Sequence, residues 1–62
     1  MSAMSNMRRD FVATNLRSQL SRLNNILGAI EEKNKVDCDY AYNSLKEIEL
    51  NLRQIRKLCT NN

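Results

Sequence analysis

The sequence predicts an all-α protein, an antiparallel helical hairpin that dimerises into a four-helix bundle. Three observations point there. The composition is helical, two lines of apolar residues recur with heptad spacing, and a short polar break carrying helix-ending and helix-starting residues separates them. With no proline, one glycine (Gly28), one phenylalanine and no tryptophan, the chain lacks the aromatic and turn-forming residues that strands need. Leu, Ile, Arg, Lys, Glu, Gln and Asn dominate instead, most of them good helix formers.

The first helix is expected over about residues 6–33, with Ser5 or Asn6 able to cap its start. Ala13, Leu16, Leu20, Leu23, Leu27 and Ile30 follow one another at steps of 3, 4, 3, 4 and 3, a line that stays on one helix face. Val12 and Ile26 widen it on one side, giving the broad stripe of a bundle helix rather than a narrow coiled-coil seam. The second helix is expected over about 38–59. There Cys38, Ala41, Leu45, Ile48, Leu52, Ile55 and Cys59 keep unbroken steps of 3 and 4, where a strand would alternate with period two.

Residues 34–37 form the turn. Asn34 can take the left-handed conformation that ends a helix, and Lys33 suits the negative end of its dipole. Asp37 is a good N-cap for the second helix, with Val36 and Ala41 as a weak hydrophobic staple. A connection this short makes the two helices antiparallel neighbours. The competing arrangement is one continuous coiled coil, because the two apolar lines are out of phase by four residues, which a stutter would accommodate. That arrangement would leave both lines exposed along their whole length, so the hairpin is the expected form.

Size argues for a partner. A chain of 62 residues forms one domain at most and buries only ~60% of the surface its unfolded form exposes. Small domains compensate with disulfides, a metal or oligomerisation. Cys38 and Cys59 stand 21 residues apart, ~31 Å along one helix, far beyond the reach of a disulfide or of a shared zinc ion. Reduced thiols acting as small apolar residues in the seam, in a cytoplasmic protein, are the expectation. Oligomerisation remains, and a two-fold dimer of hairpins is its commonest closed form.

Chemistry is sparse. There is no histidine, no glycine-rich phosphate loop and no HExxH or GxSxG motif. The carboxylate pairs Glu31/Glu32 and Glu47/Glu49 read as solvated helix faces. No enzyme activity, no cofactor, no metal and no small-molecule substrate is expected. No apolar run is long enough for a secretory leader or a membrane span.

Two surfaces stand out. In a hairpin the start of the first helix lies beside the end of the second, which would gather Arg8, Arg9, Arg53, Arg56 and Lys57 at the open end, with Arg17 nearby. Six such cations suit phosphate contacts and make a nucleic-acid-binding regulator the alternative reading. Helix-dipole complementation explains the late cations equally well. The other surface is apolar: Met4, Met7 and Phe11 group together, away from the leucine stripe, as an adaptable protein-binding patch. The leading expectation is a homodimeric regulatory or adaptor protein, of phage or plasmid type in its small size, that binds another protein. Its interface residues would be Met4, Met7, Phe11, Leu16, Leu20, Leu23, Leu27, Leu45, Ile48, Leu52 and Ile55.

Overall fold

A computed structural model of the chain describes residues 5–60. Two helices, α1 (Asn6–Lys33) and α2 (Cys38–Thr60), pack against each other as a hairpin, and no strand occurs among the described residues. The continuous coiled coil is thereby replaced by a chain that reverses at residues 34–37. α1 closes at Lys33 and α2 continues to Thr60, one residue past the expected end.

The caps explain both boundaries. Ser5 has extended backbone, and its hydroxyl accepts from the Arg8 N–H at 3.2 Å, satisfying one of the orphan amide groups of the first turn. At the other end Asn34 adopts φ 55°, ψ 34°, the left-handed conformation that an L-residue other than asparagine or aspartate rarely takes. Asp37 then starts α2. Its carboxylate accepts from the Tyr40 N–H at 3.1 Å and its carbonyl from the Ala41 N–H at 2.9 Å. Lys33 and Lys57 sit in the last turns and Asp39 in a first turn, each complementing the local end of a helix dipole.

The contact between the helices is narrow and part polar. On α1 it runs through Val12, Asn15, Gln19, Arg22, Ile26 and Ala29, which are buried or half-buried. On α2 it runs through Ala41, Ser44, Ile48, Asn51, Ile55 and Leu58. Ile26, Ile48 and Ile55 are the only buried apolar side chains among the described residues, and Gln19 is buried with them. The amide of Gln19 donates to Asn15 Oδ1 at 2.9 Å, but its own oxygen is buried without a hydrogen-bond partner.

This contact departs from the line read in the sequence. In α1 it lies one residue ahead of the leucines, so Leu16, Leu20, Leu23 and Leu27 point away from α2 and remain exposed. In α2 the heptad seam splits: Ala41, Ile48 and Ile55 turn toward α1, while Leu45, Leu52 and both cysteines stay exposed. The physical reason is geometric. A helix with one neighbour covers a single line of its surface, and each apolar stripe here is two lines wide. The side with Val12 and Ile26 takes the hairpin contact, and Ile26, Ile48 and Ile55 are buried along it. The thiols are therefore not the buried seam residues expected, and Tyr42 is 68% exposed.

Candidate interaction surfaces

Successive residues advance by about 100° around a helix. Seen from its start, each helix carries its exposed leucines clockwise of its contact line, about 70–130° on α1 and 70–90° on α2. In an antiparallel pair, the same sense of offset on both helices leads to the same side of the hairpin. The opposite offset behaves accordingly: Arg22 and Asn25 of α1 line one groove with Tyr40, Ser44 and Glu47 of α2, and the Arg22 guanidinium approaches the Glu47 carboxylate at 3.9 Å. The hairpin thus has a polar side and a leucine side.

Leu16, Leu20, Leu23, Leu27, Leu45 and Leu52 make up the leucine side, each between 38% and 60% exposed. Cys38 lies on it at the turn end and Cys59 at the open end, both exposed. Single exposed leucines are ordinary, whereas a contiguous row drawn from both helices marks a contact surface. The accessible surface agrees. It is 5212 Å², against about 4,100 Å² for a compact monomer of the same 7.2 kDa mass by the usual size scaling.

Of the other expected interface residues, Ile48 and Ile55 are consumed by the hairpin's own contact. Phe11 is exposed and edges a groove of about 210 Å³ on the polar side, together with Thr14, Asn15, Ser18, Gln19, Arg22 and Asn51. Met7 is 84% exposed, and Met4 lies outside the described residues. The apolar group at the start of α1 and the leucine side are therefore separate features of the hairpin.

Arg53, Arg56 and Lys57 line one groove with Thr60, all from α2. Arg22 is level with Glu47 and Gln19 with Asn51, so Thr60 is level with Arg9 or Asp10, and Arg8 and Arg9 sit at the end of α2. Arg9 pairs with Asp10 at 3.4 Å, and Arg8 is half-buried. Arg17 is exposed on the outer side of α1. Three of the six cations expected at the open end thus share a groove on α2, with Arg8 and Arg9 at the level of its last turn.

Sequence reasoning missed the polar layer of Asn15, Gln19 and Asn51 between the helices. Its signal is a second run with the same spacing, Val12, Asn15, Gln19, Arg22, Ile26 and Ala29, one residue ahead of the leucines and only half apolar. Among the described residues no group of three or more acidic, cysteine or histidine side chains is placed to hold a metal ion, and no helix is long and apolar enough to cross a membrane. No family model, no curated protein and no solved structure matches the chain.

Proposed function

We propose that this protein is a small non-enzymatic interaction module, regulatory or adaptor in kind, that self-associates through its leucine side into a four-helix bundle. The observation that carries the reading is the row of six leucines, contributed by both helices and exposed to 38–60%. Among its described residues the lone hairpin buries three apolar side chains, too few to offset the ordering of its backbone. Stacking two leucine sides supplies the missing core, with ~1.5–3 kcal/mol for each leucine that becomes fully buried. The bundle would then present its remaining helix faces, with Met7 and Phe11 at the start of α1, to another protein. Replacing Leu20 and Leu27 together by glutamate tests this. The dimer is expected to fall to chain mass with loss of helicity, and an unchanged dimer would refute the reading.

The groove of Arg53, Arg56 and Lys57 supports a second reading, a regulator that binds nucleic acid. Phosphate contacts would make binding fall steeply as salt rises. Titrating labelled single- and double-stranded RNA and DNA at two salt concentrations, with the triple alanine variant of these residues as control, separates the readings. Salt-sensitive binding lost in the variant favours the second. Absence of binding in both proteins leaves the first.

A further inference from the structure

We infer that the occupant of the leucine side is a second copy of this chain docked antiparallel, the turn end of one hairpin lying over the open end of the other. The inference rests on the self-association proposed above and fixes its geometry. Two identical layers stacked face to face close by a two-fold axis lying between them. An axis along the helices sets the two turns together and places α1 over α2. An axis across the helices opposes the turns, placing α1 over α1 and α2 over α2.

The spacing of the apolar residues fits the crosswise axis. On α1, Leu16 and Leu27 share a midpoint with Leu20 and Leu23, between Ser21 and Arg22. On α2, Leu45 and Leu52 share a midpoint with Cys38 and Cys59, between Ile48 and Glu49. The two midpoints lie at nearly the same level of the hairpin, since Arg22 stands across from Glu47. One axis therefore serves both helices. It brings Leu16 level with Leu27 of the second copy, Leu20 with Leu23, Leu45 with Leu52, and Cys38 with Cys59.

Charge selects the same arrangement. Divided at that axis, the open half holds Arg8, Arg9, Arg17, Arg53, Arg56 and Lys57 against Asp10 and Glu49, a formal +4. The turn half holds Arg22, Lys33, Lys35 and Lys46 against Glu31, Glu32, Asp37, Asp39 and Glu47, a formal −1. Turns set together would stack one +4 half on another, whereas opposed turns stack it on the −1 half. Arg9, beside the leucine row, then stands within about one helical turn of the level of Glu31 of the second copy. The size of the face is adequate as well. The hairpin measures 43 by 16 Å in that projection, close to 700 Å², about what each partner contributes to a stable interface.

Both native thiols lie on this face and report its geometry. They are ~31 Å apart within one helix, so a short bismaleimide, reaching about one interhelical distance, links only different copies. The full chain would be reduced, freed of reductant and cross-linked without air, with its mass followed by light scattering, alongside the single variants Cys38→Ser and Cys59→Ser. Expected is a cross-linked dimer whose peptides join Cys38 to Cys59, lost in each single variant. Links joining Cys38 to Cys38 and Cys59 to Cys59, surviving in the opposite single variant, would overturn the antiparallel arrangement and leave self-association standing. So would a dimer by mass without the Cys38–Cys59 link. A chain-mass particle that fails to cross-link would overturn both, and the leucine side would then belong to a different chain.

Discussion

Replacing Gln19 by leucine is expected to stabilise the protein, against the usual direction of core substitutions. Gln19 is 4% exposed and its amide oxygen is buried with no partner. An orphaned buried acceptor costs ~1–3 kcal/mol, and the substitution removes it. The loss is the hydrogen bond to Asn15 at 2.9 Å, a neutral one contributing ~0.5–1.5 kcal/mol, while Asn15 is half-exposed and can turn to water. The new side chain adds apolar contact with the isoleucine layer, ~0.8 kcal/mol per methylene-sized group buried. The net gain is on the order of 1–2 kcal/mol, and for a domain of this size each kcal/mol moves Tm by ~4–8 °C. The assay is thermal unfolding followed by circular dichroism, with both proteins at the same chain concentration because the melting point of an oligomer depends on it. A Tm lower than that of the parent would refute the reasoning. It would mean that the Gln19 oxygen has a partner, and that the polar layer holds the helices in register at a net gain.

Three further outcomes follow from the same contacts. Ile48→Ala, at a side chain 3% exposed where the helices touch, is expected to cost ~2–5 kcal/mol in urea unfolding. Asp37→Ala removes the acceptor for the Tyr40 N–H, and a loss of ~1 kcal/mol is expected; an unchanged urea midpoint would show that water serves that amide equally well. Gly28→Ala places a methyl group where no atom lies within 4 Å, so ~1 kcal/mol of helix propensity should appear as added stability, and a destabilised variant would show that Gly28 packs against something in the assembly.

Where the helices start and stop was legible in the sequence because local chemistry decides it. Ser5, Asn34 and Asp37 act through atoms two or three residues away, so their roles are written in short words of sequence. Which face of each helix meets the other was not legible. In α1 the leucine line and the Val12–Ala29 line lie about 100° apart, and the leucine line is the more apolar. Periodicity therefore pointed to it, yet the hairpin closes on the line that mixes Ile26 with Asn15 and Gln19. That choice is tertiary: it depends on what α2 offers and on where the larger apolar side can go. The open end was legible in outline: chain order sets Arg8 and Arg9 near the end of α2, where Arg53, Arg56 and Lys57 share a groove.

The pairing of two hairpins through their leucine sides is tested most directly by the molar mass of the intact chain. Sedimentation equilibrium over a range of concentrations, with helicity recorded on the same samples, measures it. A helical particle of twice the 7.2 kDa chain mass, dissociating on dilution as its helicity falls, is the expected result. A particle of chain mass that keeps full helicity and unfolds cooperatively would contradict the account, because a stable hairpin would then exist with its leucine row open to water.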